Sequence, residues 1–541
     1  MPHLPPARIR PLIAAALALA LLFLAPLATN SVTVQADTSS GIASGDRTYS
    51  IATVNPGGLT PGRSVQAYSV EIISGLFDSL TAIDPSGQVV MRAAESVTSR
   101  DQISWIIKVR PGQFFHNGEA VTAQSFVDAW NAAAYGPNEW PTNAYFRNVA
   151  GYAALNPPSG APTATTLAGL QVGDDYTLQV TLTEPFNQFP QLLSYPGLAP
   201  LPEAAFADLE AFDQHPIGNG PFKVKDDTDT EQRAELVRFE EYAGPRPARS
   251  EGVTFTYFPT LADAYADARS GSSDIMLHIP PDLAAEARQI FGDRYQETRS
   301  AVVEYLGLPL RDERFAQRDV RRAISMAIDR DRITAEVLGG AYDPLRSLFP
   351  PGLPGARAGS CEMYCEYNPD LARAMFGQAG GFEGTLTLFY PEGDDSYDRA
   401  MHEVAADLQR NLGLEDVQFE RAEPADYFTT LGTQASPGPF RFNWVMDYPS
   451  VENYLAQLAR PGNWVGYEAG TAQDYIGKAA EVADPVKGLP YYQLAEAEFL
   501  NDMPVVPLWS WRALTCHSAR VTDVHTDPFA NLRLEEVQVT S

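Results

Sequence analysis

Ile103, Trp105, Ile107 and Val109 alternate with Ser104, Ile106 and Lys108 and stop at Pro111-Gly112, a two-residue period that predicts a β-strand. Tyr176, Leu178, Val180 and Leu182 share one side of a second strand. Between them, Thr122 can cap a helix that carries Phe126, Val127, Trp130 and Ala134 on one face. Further along, Val320, Ile324, Ala327 and Ile328 form a helical stripe; Asp329-Arg-Asp331 interrupts it and caps Ile333 to Leu338, which stops at Gly339-Gly340. Asn368 caps and Pro369 starts the next helix, which ends before Gly380-Gly381. Leu386 to Tyr390 reads as a strand, and Met401, Val404, Ala405, Leu408 and Leu412 as a helical face ending at Gly413. Strand and helix patterns alternating in this way imply α/β lobes in which helices cover mixed sheets. At 541 residues the chain exceeds what one core ordinarily supports, so two or three lobes are expected.

The first residues change the picture of where the protein works. Arg8 and Arg10 precede an apolar run from Leu12 to Ala28, and Val34-Gln-Ala36 offers the small residues of a signal-peptidase site, so residues 1–36 read as an export signal cut after Ala36. An uncleaved anchor is the alternative, because the run lies at the lower limit of what spans a bilayer. The first cysteine is Cys361, so an N-terminal cysteine lipoprotein is not expected. The chain has 39 basic and 68 acidic residues, and its first 36 residues contain no acid, so the remainder is strongly anionic. That balance disfavours nucleic acid and anionic membrane as partners, since phosphate binding needs a basic face. Cys361 and Cys365 can close a small disulfide in an oxidising compartment. Cys516 is left over and reads as a buried free thiol.

Catalytic patterns are missing. There is no Gly-x-Ser-x-Gly elbow and no phosphate-cradling loop. His402-Glu403 begins like a zinc-protease helix, but Ala406 stands where the second histidine belongs. Gly218-Asn-Gly-Pro-Phe-Lys223 resembles a dinucleotide loop only superficially, because Pro221 lacks an N–H and Lys223 replaces the third glycine. A carboxylate pair acting on sugars stays open among 68 acids. No catalytic residue, metal ligand or cofactor is therefore assigned.

Six segments in order carry a resemblance. They are Leu59-Thr-Pro61 with Gly75-Leu-Phe-Asp-Ser-Leu80, Phe114 to Val127, Ile217-Gly-Asn-Gly-Pro-Phe-Lys223, Val320 to Asp331, Trp444-Val-Met-Asp-Tyr448, and Met503-Pro-Val-Val-Pro-Leu508. Together they resemble the family 5 extracytoplasmic solute-binding proteins, the oligopeptide- and dipeptide-binding proteins of ABC importers. The resemblance covers most of the chain after about residue 47. It implies a two-lobed α/β fold of the periplasmic-binding-protein type, with a hinge between the lobes and an extra subdomain in the first. The implied parts are a signal at 1–36, lobe I from 37–77, 205–300 and 509–541, the extra subdomain at 78–204, and lobe II at 301–508. Crossovers are expected near Ala301 to Glu304 and Pro507 to Trp511. The implied function is capture of a peptide between the lobes and delivery to the permease subunits, by a monomer that is not an enzyme.

The resemblance also nominates site residues. Asp447 would meet the peptide ammonium, since a buried ammonium needs a hydrogen-bonding anion; the competing role is capping the turn before Pro449. Trp444 would offer a flat apolar wall or serve as core. Arg441 would meet a peptide carboxylate or sit in a surface ion pair. Ser64, Val65, Gln66 and Ala67, with Asn443, Trp444 and Val445, would share backbone hydrogen bonds with the peptide as added strands do. Gly218 and Gly220 are expected to supply backbone angles that other residues avoid. Asp395-Ser-Tyr-Asp398 stands where some relatives hold a carboxylate with histidine, which opens the ligand question to an oligosaccharide or a nickel complex. A secreted hydrolase or a surface adhesin is the reading from outside this class.

Overall fold

The computed structural model describes residues 47–541 apart from 227, 229–231, 394, 528 and 541. The expected export segment lies outside the described residues. No helix among them is long and apolar enough to cross a membrane.

The patterned segments form where the periodicity puts them. Ser104–Val109 is a strand with alternate residues buried, paired with Thr177–Thr181 and Ala94–Ser99. Leu170–Asp174 completes this four-stranded antiparallel sheet. Helix Ala123–Ala134 follows Thr122, whose backbone N–H donates to Ser125 Oγ at 3.2 Å. Trp130 on its buried face donates through Nε1 to the carbonyl of Leu198. In the second half, Asp329 accepts from the Arg332 N–H and Asn368 from the Leu371 N–H, each opening a helical segment. Met401, Val404, Ala405, Leu408 and Leu412 are all buried along helix Asp395–Leu412.

An eleven-stranded mixed sheet runs through the described chain. Its centre is a pair of thirteen-residue strands, Tyr295–Gly307 and Val505–His517, antiparallel to each other. Tyr295 to Arg299 pair with Cys516 to Arg512, and Val303 to Gly307 pair with Ser510 to Val505; the register breaks between Arg299 and Val303 and again between Glu304 and Tyr305. One flank carries Thr48–Val54, Gly252–Phe258 and Arg233–Arg238; the other carries Phe440–Val445, Thr385–Pro391 and Asp416–Ala422. The protein is two-lobed. One hydrophobic core gathers Ile51, Leu76, Trp105, Phe126, Phe222, Val253 and Leu534. The other gathers Val303, Tyr305, Ile324, Leu388, Met401, Phe440, Tyr454 and Leu508, and extends under the helices Leu261–Ser270 and Ala284–Phe291.

Three of the resembling segments meet at one point and explain one another. The N–H of Gly218 donates to His116 Nδ1, the His116 N–H donates to the Gly218 carbonyl, and the Gly220 N–H donates to the Leu76 carbonyl. Asn219 closes the knot by accepting from the Asp78 N–H and donating to the Asp78 carbonyl. Gly218 and Gly220 are not among the positive-φ residues, so the expected reason for them is corrected. They are glycines because the chain from 75 to 78 passes so close: a Cβ on Gly218 would lie 1.9 Å from the Leu76 carbonyl oxygen. Gly218→Ala is expected to cost about 1–3 kcal/mol by overpacking against backbone that cannot move aside. A urea midpoint shift at constant m-value checks this.

Cys361 and Cys365 are disulfide-bonded, with Cα atoms 5.5 Å apart, and Cys516 is a buried free thiol.

Candidate ligand-binding cleft

Strand Phe440–Val445 pairs along its length with Val302 to Gly307 on one side. On its other side the ladder stops after one residue, where Phe389 pairs with Phe440. The Pro439 carbonyl accepts from the Phe389 N–H and the Arg441 carbonyl accepts from the Tyr427 hydroxyl on this second side. Backbone groups alternate along a strand, so Asn443 and Val445 aim their N–H and C=O the same way. No strand pairs with them there among the described residues. Val445 is 47% exposed, high for a valine at the end of a central strand.

The segment from 64 to 67 is anchored through residues 59 and 60. Thr60 donates its hydroxyl to Asp213, which also accepts from the N–H groups of Leu59 and Thr60. The Ser64 N–H then donates to the Thr60 carbonyl. Gln66 is extended, at φ −72° and ψ 147°, and precedes helix Ala67–Leu76. Val65 and Ala67 line a cavity of about 390 Å³ together with Val445, Met446 and Asp447. Ser64, Gln66 and Asn443 flank this cavity rather than line it.

Asp447 is a half-buried carboxylate at the junction of that cavity with a second one of about 310 Å³. It accepts from the Tyr145 hydroxyl at 2.5 Å and from Asn453 Nδ2 at 3.1 Å. Asn453 Oδ1 in turn accepts from the Asp447 N–H and from Trp444 Nε1. Tyr145 is stacked on Tyr195 at 5.0 Å. No guanidinium or ammonium forms an ion pair with Asp447 among the described residues. Burial raises its pKa, while the hydrogen bonds of Tyr145 and Asn453 and the charge of Arg147 oppose that rise. The helix that follows is capped by Ser450, whose hydroxyl accepts from the Glu452 N–H. Trp444 is half-buried and walls the second cavity.

Arg441 differs from expectation. Its side chain is 3% exposed and forms a buried ion pair with Glu304, Nε to Oε2 and Nη2 to Oε1 both at 2.8 Å. The guanidinium lies 3.4 Å from the Tyr397 ring centroid, and Glu304 Oε1 also accepts from Trp511 Nε1 at 2.6 Å. It lines neither cavity. The physical reason is the ladder: Leu306 faces Arg441 and Glu304 faces Asn443, which sets the two charges diagonally across paired strands.

A second carboxylate lies deeper. Glu452 is buried, accepts from the Tyr448 hydroxyl, and burial pushes its pKa up to about 7. A carboxyl raised in the folded state contributes stability that is complete below its unfolded pKa and is lost as pH rises through about 7. Glu452→Gln is therefore expected to exceed the wild type by about 2–3 kcal/mol near pH 8 and to match it near pH 4. Denaturant titrations at the two pH values check the sign.

Tyr145, Tyr195, Asn453 and Glu304 were not legible as site residues. Asn453 alone left a trace, six positions after Asp447 at the start of an apolar helix. Among the described residues no group of three or more His, Cys, Asp or Glu side chains could hold a metal ion.

Comparison with known proteins bears on the family and the fold. Residues 88–466 match the family described as bacterial extracellular solute-binding proteins, family 5 Middle. The periplasmic oligopeptide-binding protein OppA of Escherichia coli strain K12 is 25% identical over 506 residues, 90% of this chain and 91% of OppA. The probable deoxycholate-binding periplasmic protein YgiS of the same strain is 25% identical over 84% of this chain and 86% of its own length. Among solved structures, the MppA periplasmic murein tripeptide binding protein in its unliganded open form superposes with a TM-score of 0.77 at 21% identity, covering 92% of this chain and 98% of MppA. The matched segment spans well over half of the 541 residues, and the chain belongs to the family 5 bacterial extracellular solute-binding proteins.

Proposed function

We propose that this protein is the extracytoplasmic substrate-binding component of an ABC importer, capturing peptides between its lobes and handing them to the permease. One observation carries the reading. An edge at Asn443 and Val445 that no strand pairs among the described residues is one rail, the segment leading through extended Gln66 into helix Ala67–Leu76 is the other, and Asp447, a carboxylate without an ion pair, stands beside the cavity that Val65, Ala67 and Val445 line. Backbone hydrogen bonds from both rails hold a peptide without regard to its side chains. Asp447 fixes the end that bears the ammonium. Several relatives named for oligopeptide or tripeptide binding support the choice of ligand. Closure is a rotation about the register breaks at Arg299 to Val303 and around Ser510, with residues 301–508 moving as the second lobe and 78–204 riding on the first. The protein acts as a monomer, exported and free of an N-terminal cysteine lipid, and turns nothing over.

Native mass spectrometry of the protein exported by its own host, followed by gentle denaturation, tests this. A ladder of short peptides is expected. A released bile acid, sugar or metal complex retains the class but removes the role given to Asp447, because such ligands bring no ammonium.

A further inference from the structure

Two arginines line the cleft with no ion pair to an acid among the described residues, although the charge of Arg147 reaches Asp447 and Glu452. Arg147 follows the segment Pro141–Phe146, and Arg460 ends helix Val451–Ala459, so they approach from the two lobes. Both line the cavity of about 310 Å³ that Trp444 and Asp447 also line. Both continue into an adjoining cavity of about 1120 Å³. Neither guanidinium forms an ion pair or a side-chain hydrogen bond among the described residues. Arg460 has only the Trp464 ring, 6.0 Å away. Burial lowers the Arg460 pKa, and the charge of Arg147, which reaches it, adds to that lowering.

This pairing is unusual for the chain. Acids outnumber bases 68 to 39, and Arg441, which lines neither cavity, is ion-paired with Glu304. The acids that the charge of Arg147 reaches, Asp447 and Glu452, take their hydrogen bonds from other groups. Asp447 is held by Tyr145 and Asn453, and Glu452 by Tyr448. Glu184 borders only the larger cavity. Two like charges brought together by lobe closure repel, and an anion placed between them reverses the sign of that term. The planar guanidinium fork matches a carboxylate.

We propose that Arg147 and Arg460 form a carboxylate clamp, one arm from each lobe, that closes on an anionic group of the ligand. Resting on the peptide reading above, this names the substrate class: peptides with a carboxylate close to the ammonium that meets Asp447. Both charges border one cavity of about 310 Å³, so the segment between them is short. The carboxylate is either the C-terminus of a very short peptide or an Asp or Glu side chain near the start of a longer one.

The mature protein is incubated with a synthetic library of di- to pentapeptides and with a C-terminally amidated copy. Retained peptides are identified by mass spectrometry, and their affinities are measured by calorimetry. Retained peptides are expected to carry the carboxylate in one of the two places. Amidation weakens binding in the first case, and Asp→Asn or Glu→Gln replacement in the peptide does so in the second, by about 30-fold or more. Arg147→Gln and Arg460→Gln each weaken the carboxylate form about 10-fold or more and leave its neutral counterpart within about threefold. Equal losses for both forms, or no loss in either variant, overturn the clamp and leave peptide binding intact. If the wild type retains no peptide, the peptide reading falls and the clamp falls with it.

Discussion

Asp447→Ala is expected to weaken peptide binding by about 3–5 kcal/mol, the cost of leaving a buried ammonium without its anion. The magnitude follows from the surroundings of the carboxylate. It is half-buried, it has no ion pair among the described residues although the charge of Arg147 reaches it, and its hydrogen bonds come from two neutral groups, Tyr145 and Asn453. Those donors orient the oxygens and keep the charge accessible to a ligand. Asp447→Asn separates charge from shape, since the amide retains a hydrogen-bond acceptor for Tyr145. The Asn variant should lose nearly as much affinity as Ala while its thermal stability stays at or above that of the wild type, because burial disfavours the ionised carboxyl in the empty cleft. The same burial sets the pH dependence. Protonation of Asp447 competes with the ligand ammonium, so affinity falls on acidification from a higher pH than an ordinary aspartate would give. Calorimetry with a peptide recovered from the protein checks both, and an Asn variant that binds normally would sink the anchor assignment.

The sequence made some of this visible and concealed the rest for physical reasons. Strand Ser104–Val109 and helix Asp395–Leu412 follow from side-chain periodicity, a local property that survives without knowledge of the partners. Asp447 was legible through the motif that surrounds it. Tyr145 and Arg147 come from one element, Asn453 and Arg460 from another some three hundred residues later, and the two pairs meet only in the folded cleft, so no spacing announces them. Gly218 shows the opposite case. It looked like a conformational glycine, yet its φ is ordinary and the demand comes from Leu76, more than a hundred residues earlier. Arg441 was legible as a residue but its ion pair was not, because the acid beside it, Glu304, is 137 positions away and is brought near by strand register alone.

Arg441→Ala is expected to destabilise the protein by about 3–5 kcal/mol, since it leaves Glu304 buried with only the indole of Trp511 as partner. Glu304→Ala should cost a similar amount by stranding Arg441 over the Tyr397 ring. Replacing both at once, Glu304→Leu with Arg441→Met, removes the desolvated charges and fills their volume, and such exchanges are often neutral or stabilising. The double variant should therefore recover most of the loss in denaturant titrations. It also separates two roles that the singles confound. If Arg441 serves only the strand ladder, the double variant folds and binds carboxylate-bearing peptides as the wild type does. If Arg441 instead holds a ligand carboxylate, the double variant folds but loses affinity for the free acid and not for its amide. Glu304 lies at the second register break and pairs with both flanking strands. A ladder pair at that position ties strand Phe440–Val445 to its central neighbour and so fixes the height of the free edge that Asn443 and Val445 offer to a peptide.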